Sequence, residues 1–339
     1  MTKQKSILAT ITAIIGMLVL ILDSKTAISG ATEGLQLCLR VIIPTLFPYC
    51  ILSITLTALL LGRTTSILRP FGKILKLPPN TESILLIGLL SGYPVGAQSI
   101  AYAYRQGALD RNNAERMIAF CNNAGPAFIF GVGSVIFDDP LTCCLVWFIH
   151  IVSSMLVGLI TPSVTQDLLV TIKPKAFSFS QAFEQSIRTM ASVCGWIVLF
   201  RTIIAVLDRW ILWILPQDYR ILVSGILELA NGCTQLINGS SEPQQICLFT
   251  TMLGFGGICV LLQTYAIFAV NDLSIRQYLP GKLTQAAISY LLCTSILSYQ
   301  NDYTPGMIPV ILALCMCVLY LFFFLKRQKV YGNFIISGV

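Results

Sequence analysis

The chain has 339 residues, of which 55% are hydrophobic and 11% charged, and its net charge is +7. A soluble fold of this composition would leave large apolar surfaces in water, whereas several bilayer spans use it naturally, so the sequence predicts an all-α polytopic membrane protein. The charge lies mostly in short segments between apolar runs, where it indicates membrane orientation and argues against nucleic-acid binding.

Residue types that support catalysis are scarce. The twelve cysteines lie mostly in or beside apolar runs without a C-x-x-C pair, and His150 is the only histidine, so we interpret both types as packed residues. The sequence contains no P-loop, metal-ligand cluster or Ser-His-Asp set. It therefore predicts a protein that is not an enzyme and has no cofactor or metal.

The N-terminal region begins with an apolar run behind two lysines. Ser6–Leu22 is predicted to be a signal anchor with its N-terminus inside. Asp23–Arg40 is amphipathic and is expected either to lie at the interface or to pack inside the bundle, and Val41–Leu61 is predicted to span. The connection Gly62–Asn80 carries four basic residues and no acid, which places it in the cytoplasm under the positive-inside rule.

The next apolar run is interrupted. Ser83–Leu90 and Val95–Tyr104 are each too short to cross a bilayer alone, so they predict a re-entrant hairpin. Each unpaired backbone group in hydrocarbon costs several kcal/mol, so broken chain at this depth must be buried in protein or line a watery cavity. The residues that we assign to a substrate site at this break are Ser91, Gly92, Tyr93, Pro94 and Gly96.

Two more apolar runs are interrupted. A helix capped by Asp110 is predicted to be broken ahead of Ala127–Phe137, and a glycine-rich break precedes Ile258–Val270. Interrupted segments in both halves of a chain are the best sequence indication of a transporter's substrate site. The asparagines at the first of these breaks either line the site or join neighbouring helices. The residues assigned to these two breaks are Asn122, Asn123, Gly125, Pro126, Gly254, Gly256 and Gly257.

The second half resembles the first in its order of features. Thr189–Leu207 follows an arginine as Val41–Leu61 does, and the glycine break precedes a half-helix as the Tyr93 break does. An odd number of crossings between paired spans would invert one repeat relative to the other. Basic residues after the last span, Gly306–Leu325, place the C-terminus inside. The pattern predicts about eight transmembrane helices in two pseudo-symmetric, inverted repeats with imperfect symmetry.

The segment Ile221–Ile237 is apolar but carries Glu228, Asn231 and Gln235, which would share one face of a continuous helix. A carboxylate offsets much of the insertion free energy of such a segment, so Glu228 is by default a functional candidate. The alternative is a structural ion pair with one of two arginines, Arg188 or Arg201.

The half-helices after the breaks predict the ligand chemistry. A helix that begins inside a bundle presents free N–H groups and a partial positive charge, which suit a carboxylate. Val95–Tyr104 and Ile258–Val270 could converge on one small dianion, with Tyr93 or Phe255 stacking on its ring and Gln263 among the amides that bond it. A nucleoside could form hydrogen bonds with the same side-chain amides, but it carries no negative charge for the helix dipoles to stabilise. Alternatively, the glycines only permit close helix packing.

Four stretches carry a resemblance to a known family: Leu89–Gln98, Ala119–Ile129, Leu227–Gly232 and Phe255–Gln263. They resemble the YlbJ-type sporulation integral membrane proteins of the nucleoside-recognition, or Gate-domain, group. Ala230 departs from the family pattern, which has a Thr or similar polar residue there. The resemblance implies a mother-cell protein of endospore-forming cells that is linked to moving dipicolinic acid across the outer forespore membrane.

The charge and hydropathy pattern, with the Gate-type label taken from the resemblance, divides the chain into segments. Residues 1–26 would form the signal-anchor span, and residues 27–162 the first Gate-type repeat. Residues 163–180 would form a cytoplasmic linker, residues 181–325 the second Gate-type repeat with the last span, and residues 326–339 a cytoplasmic tail.

The predicted function is a transporter or facilitator for a small anionic metabolite, with dipicolinic acid implied by the resemblance. It would act in the cell membrane or the outer forespore membrane, with both termini cytoplasmic. The alternatives are a nucleoside-type transporter and a non-transporting scaffold or regulator of spore formation, which the short loops disfavour. The expected partners are the small anion, the lipid bilayer, and either further copies of the chain or other sporulation membrane proteins. The predicted substrate-binding residues are Ser91, Gly92, Tyr93, Pro94, Gly96, Asn122, Asn123, Gly125, Pro126, Glu228, Asn231, Gly254, Gly256, Gly257 and Gln263.

Overall fold

A computed structural model describes residues 3–60, 67–163, 178–238, 241–301 and 304–336. Within these ranges the regular structure is helical, without a strand. The helices are α1 (Lys3–Leu22), α2 (Ser24–Leu37), α3 (Ile43–Leu60), α4 (Arg69–Ile74), α5 (Glu82–Leu90), α6 (Val95–Arg105), α7 (Arg111–Met117), α8 (Pro126–Ile136), α9 (Pro140–Ile160), α10 (Phe179–Trp210), α11 (Gln217–Leu227), α12 (Leu229–Gln235), α13 (Glu242–Phe255), α14 (Gly257–Ala269), α15 (Tyr278–Asn301) and α16 (Met307–Ile336).

Several helices begin where short polar side chains can cap them. The Asp110 carboxylate accepts a hydrogen bond from the backbone N of Asn113 at 2.8 Å, so the predicted cap of α7 is confirmed. Asp139 accepts from the backbone N of Leu141 at 3.0 Å at the start of α9, where Pro140 occupies the first helical position. Local sequence therefore determines these two starts.

A π-helical turn, Cys38–Ile42, joins α2 to α3. The resulting segment Ser24–Leu60 is long and apolar enough to cross a membrane. Glycine lets α2 approach α10 closely, since a Cβ on Gly30 would lie 2.7 Å from the Cβ of Ala205. Asp23–Arg40 thus packs on α10 through its small residues, whereas Ile28 and Leu35 are exposed.

Four helical segments of the described chain are long and apolar enough to cross a membrane: Ser24–Leu60, Pro140–Ile160, Phe179–Trp210 and Glu242–Ala269. Shorter apolar stretches lie in α1, α8 and α16, and many large apolar side chains of α1 and α16 are exposed. These helices support the predicted polytopic membrane protein. The predicted number of about eight crossings is not confirmed.

The two halves arrange their helices in the same order. A long helix, α3 or α10, precedes two short helices around a break, which are α5 and α6 in the first half and α11 and α12 in the second. Two further helices around a second break follow, and then a long helix, α9 or α15. In this order the Tyr93 break corresponds to Glu228, whereas the sequence pattern pairs it with Gly254–Gly257. The pairing stays a prediction. The inverted relation of the halves stays a prediction.

The interrupted helices connect two packed groups. One group contains α9, α13 and α15, and the other contains α2, α3 and α10. Both α8 and α12 contact both groups, and α14 packs on α6, α10 and α11. Eight of the twelve cysteines are buried, in agreement with their interpretation as packed residues. The predicted linker 163–180 lies mostly outside the described residues.

Candidate functional site

The chain is broken between α5 and α6, as predicted. Gly92 has φ +80°, a left-handed conformation that glycine adopts without the clash a side chain would cause. Pro94 is the N-cap of α6. Gly96 lies in the first turn of α6, where a Cβ would stand 2.3 Å from the carbonyl oxygen of Cys121. At Gly96, therefore, the structure agrees with the alternative that the glycine permits close packing.

The second interruption, between α7 and α8, is longer than predicted and consists of turns and irregular chain. Asn122 and Asn123 lie in it and are fully buried. Gly125 packs against the first break, since a Cβ on Gly125 would lie 2.9 Å from the backbone N of Gly92. Pro126 is the first residue of α8. The first and second breaks are thus in backbone contact.

Asn122 occupies the N-terminus of α6. Its Oδ1 accepts a hydrogen bond from the backbone N of Ala97 at 3.2 Å, and its Nδ2 donates to Oγ1 of Thr264 at 3.0 Å. The first two N–H groups of the helix donate to the carbonyl oxygen of Gly92 at 3.0 and 3.5 Å. The prediction that these amides are free for a carboxylate is therefore wrong, because the protein itself uses them.

The glycine break between α13 and α14 lies against the Tyr93 break. Gly256 and Gly257 have left-handed φ angles of +82° and +85°. The Tyr93 hydroxyl donates a hydrogen bond to the carbonyl oxygen of Leu253 at 3.2 Å, and a Cβ on Gly256 would lie 2.9 Å from that hydroxyl. Gly254 instead faces α15, where a Cβ would lie 2.8 Å from a backbone atom. The structure thus brings the two breaks together through Tyr93.

The segment 221–237 is not one continuous helix. It divides into α11 and α12 around Glu228, whose backbone is extended at φ −146° and ψ 121°. Glu228 is 3% exposed, and its carboxylate accepts hydrogen bonds from the backbone N of Ala230 and Asn231 at 3.0 and 2.7 Å. The Nδ2 of Asn231 donates to it at 2.6 Å. The common face predicted for Glu228, Asn231 and Gln235 is therefore wrong, because Glu228 is the N-cap of α12.

Amide groups, rather than a cation, hold Glu228. Arg201 pairs with Glu33, and Glu228 takes part in none of the ion pairs of the described residues. Its position at a helix N-terminus stabilises its negative charge. The two helices around it fold back at backbone contact, since a Cβ on Gly232 would lie 2.1 Å from the Cα of Gly225. The predicted ion pair with Arg201 is therefore wrong.

A cavity of about 60 Å³ lies between the breaks and the helices α3 and α10. Its volume accommodates a few water molecules, so in this conformation it is smaller than an aromatic dicarboxylate. The Ser91 hydroxyl oxygen in its wall is buried and lacks a hydrogen-bond partner among the described residues. The Nε2 of Gln263 donates to Sγ of Cys259 at 3.3 Å. The predicted site residues that line the cavity are Ser91, Gly92, Tyr93, Gly125, Glu228 and Gln263.

Tyr93 also borders a buried polar cluster around Lys282, which the sequence analysis missed. Lys282 is 1% exposed, and its Nζ donates to Oδ1 of Asn123 at 2.9 Å and to Oε1 of Gln285 at 2.7 Å. The same nitrogen lies 5.5 Å from the ring centroid of Tyr93 and 5.8 Å from that of Tyr278. The described part of the chain contains no ion pair of Lys282. The side chains that contact the Lys282 nitrogen are therefore neutral amides and aromatic rings.

Asn123 and His150 extend this cluster. The Nδ2 of Asn123 donates to the carbonyl oxygen of Phe120 at 2.7 Å and to Oγ of Ser154 at 3.1 Å. The Nε2 of His150 accepts from the backbone N of Ala124 at 3.1 Å, so the neutral ring carries its proton on Nδ1. That Nδ1 is buried without a hydrogen-bond partner in the described residues. The interpretation of His150 as a packed, weakly hydrogen-bonded residue is confirmed.

A polar stripe along α15 is the signal that would have identified Lys282. The helix α15 begins at Tyr278, so Lys282 lies one turn inside it. Lys282, Gln285 and Ser289 follow at intervals of three and four residues, which puts them on one face. Ser289 extends the contact to α9, because its hydroxyl donates to Oγ of Ser153 at 2.9 Å.

The polar groups of the site are hydrogen-bonding and ionisable side chains. No group of three or more His, Cys, Asp or Glu side chains within the described ranges is placed to hold a metal ion. Its polar groups are amides, hydroxyls, one carboxylate and one ammonium group, buried among apolar helices. Such an arrangement can bind and orient a small polar molecule.

A comparison with known proteins finds similarity to the sporulation integral membrane protein YlbJ of Bacillus subtilis strain 168. The two are 26% identical over 326 residues, which covers 83% of this chain and 79% of the relative. No family model matches the chain, and no solved structure matches it. The similarity supports the YlbJ-type assignment that the motifs predict, and together with the apolar helices it supports a multi-pass membrane protein.

Proposed function

We propose that this YlbJ-type chain is a transporter or facilitator for a small anionic metabolite, and that it moves dipicolinic acid across the outer forespore membrane during sporulation. One observation carries the proposal: breaks from both halves of the chain meet at a cavity inside an apolar helical bundle. Tyr93 and Glu228 each stand at a break and both line this cavity. Irregular backbone inside such a bundle is typical of a transporter's substrate site.

Transport requires the site to open towards each side of the membrane in turn. Since the cavity holds only a few water molecules, a substrate gains access when one of the two helix pairs, α5 with α6 or α11 with α12, moves against its neighbours. Gly88 of α5 and Gly96 of α6 both pack against the backbone of Cys121, and Gly232 of α12 packs against Gly225 of α11, so the two members of each pair move together.

The polar groups of the cavity have different roles in this proposal. Glu228 positions α12, because both of its carboxylate oxygens already accept hydrogen bonds from the protein. The Ser91 hydroxyl has no partner among the described residues, and it is free to bond a substrate oxygen. The substrate leaves chemically unchanged, so this chain acts as a carrier and not as an enzyme.

Uptake into liposomes tests the proposal directly. Purified protein reconstituted in liposomes should accumulate labelled dipicolinate faster than liposomes without protein, and the recovered label should still be dipicolinate. Uptake of a nucleoside such as uridine without dipicolinate would support the nucleoside-type alternative. Uptake of neither by folded protein would support a scaffold, and a chemically altered product would identify an enzyme.

Labelling of single cysteines tests the proposed orientation, in which α4 is cytoplasmic and the turn before α9 lies on the far side. Lys73 and Asp138 are both exposed and suit this purpose. In a background without the exposed Cys144 and Cys315, Lys73→Cys and Asp138→Cys should react with an impermeant maleimide from opposite sides. Reaction of both from one side would contradict this orientation.

A further inference from the structure

Lys282 is a buried lysine without a counter-charge among the described residues. No carboxylate pairs with it in the described ion pairs, and its nearest partners are the neutral side chains of Asn123, Gln285, Tyr93 and Tyr278. Burial of a charge is costly unless the charge is paired and hydrogen-bonded. A position that keeps a lysine at this cost suits an anion that comes from outside the chain.

The present partners of Lys282 are weak enough to be replaced. A cation over an aromatic face is held more weakly than one that donates a charge-assisted hydrogen bond to a carboxylate. The two amide oxygens belong to side chains, which can turn to other partners. An incoming carboxylate would therefore displace the ring of Tyr93 from Lys282 with a gain in free energy.

Tyr93 is placed to act as a cover. Its ring faces Lys282, and the same residue lines the cavity between the breaks. Its hydroxyl makes one hydrogen bond, to the carbonyl oxygen of Leu253, beside the space left by Gly256. Rotation of one side chain at a break would thus connect the cavity with Lys282.

His150 supplies a second observation that points to a ligand. It belongs to the same cluster, because Nε2 of Gln285 donates to its carbonyl oxygen at 3.4 Å. Its Nδ1 is a buried donor that has no partner in the described part of the chain. An oxyanion that reached this N–H would recover the free energy of its missing hydrogen bond.

We propose that Lys282 is the cation of a carboxylate-binding subsite, which Tyr93 covers in this conformation and uncovers when substrate binds. This deepens the proposed function and rests on it for the identity of the substrate. The ligand class is a small organic carboxylate, and a dicarboxylate on a flat ring would place one carboxylate at Lys282 and the other in the cavity.

Thermal unfolding of the full chain in detergent tests the subsite without relying on transport. A ligand that binds only the folded protein stabilises it by RT ln(1 + L/Kd), where L is the ligand concentration, so Tm rises with the logarithm of the ligand concentration once this exceeds Kd. Dipicolinate should raise the Tm of the wild type, and picolinate, with one carboxylate, should raise it less. The neutral dimethyl ester of dipicolinate should have no effect. Equal shifts with the ester and the dianion would overturn the proposal without any mutation.

The matched variants are Lys282→Gln and Lys73→Gln, which remove a buried and an exposed lysine. Lys282→Gln should weaken dipicolinate binding by about 10- to 100-fold, which is the effect of losing one hydrogen-bonded charge. Lys73→Gln should bind as the wild type does.

Tyr93→Leu tests the cover. It should bind dipicolinate several-fold more tightly, because the conformation in which Tyr93 covers Lys282 no longer competes with binding. Unchanged binding by Lys282→Gln, or no Tm shift of the wild type with either carboxylate, would overturn the subsite.

Liposome uptake separates this inference from the proposed function. A wild type that binds dipicolinate through Lys282 but does not transport it would contradict the proposed function and leave the subsite standing. If the wild type transports dipicolinate and Lys282→Gln transports it with the same KM, the subsite is contradicted and the proposed function stands.

Discussion

Arg116 and Lys282 are both buried cations, but the fold holds them in different ways. Arg116 is 2% exposed, and its guanidinium group donates to the backbone carbonyl oxygens of Leu75, Gly158 and Thr161 at 2.7, 3.0 and 3.1 Å. Lys282 donates only to side-chain amides and lies against aromatic rings. The backbone carbonyl groups around Arg116 are fixed by their helices, whereas the side-chain amides around Lys282 can rotate.

This difference separates a structural role from a ligand-binding one. The carbonyl groups around Arg116 stand at the ends of α4 and α9, where a positive charge also complements the helix dipoles. A planar guanidinium group bonds several carbonyl groups at once, which an ammonium group cannot do in the same geometry. Arginine keeps its proton in proteins, so Arg116 remains a cation. Arg116 therefore connects two helix ends permanently.

The largest effect is expected for Arg116→Gln. The change leaves buried carbonyl oxygens without donors, and it should lower the free energy of unfolding by at least about 3 kcal/mol. We expect little folded protein in the membrane and a lower Tm in detergent. Arg69→Gln, at an exposed arginine of α4, should change neither quantity. A folded and stable Arg116→Gln protein would remove the distinction between the two cations.

Glu228 belongs with Arg116 in this comparison, although its charge is negative. Its carboxylate accepts two backbone hydrogen bonds and caps α12, so Glu228→Gln should cost about 1 to 2 kcal/mol of stability, as the loss of a helix cap does. Tm in detergent measures the loss, and transport per folded molecule should fall only slightly. Full stability with abolished transport would instead place Glu228 in the substrate pathway.

Residue patterns predict the parts of this fold that local chemistry determines. The cap at Asp110 and the break at Ser91–Pro94 were predictable, because Asp stabilises a helix start and a Gly-Tyr-Pro sequence interrupts one. The break at Glu228 was not, since no glycine or proline stands there and the polar spacing favours a continuous helix. The role of Asn122 depends on a contact with α6 that is distant in sequence. The burial of Lys282 depends likewise on how α15 packs.

Tyr93→Phe tests how firmly the cover over Lys282 is held. The change removes the hydrogen bond to Leu253 but keeps the ring, so it should cost about 0.5 to 1.5 kcal/mol of stability. The ring can then leave Lys282 more easily, and transport should remain at or above the wild-type rate in liposomes. A large loss of transport would show that the hydroxyl contacts the substrate.

The smallest effect on stability is expected for Lys282→Gln, and it is the most direct test of the comparison with Arg116. The change removes a buried charge that has no described counter-charge, and the amide of the new side chain can still donate to the oxygens of Asn123 and Gln285. Because these two consequences oppose each other, the free energy of unfolding should change by less than about 1 kcal/mol, even though the residue is as buried as Arg116. The amount of protein in the membrane and its Tm in detergent provide the measurement, with Arg116→Gln prepared in parallel. A loss of stability as large as that of Arg116→Gln would mean that Lys282 is a structural cation, and that its neutral partners hold it as firmly as backbone carbonyl groups hold Arg116.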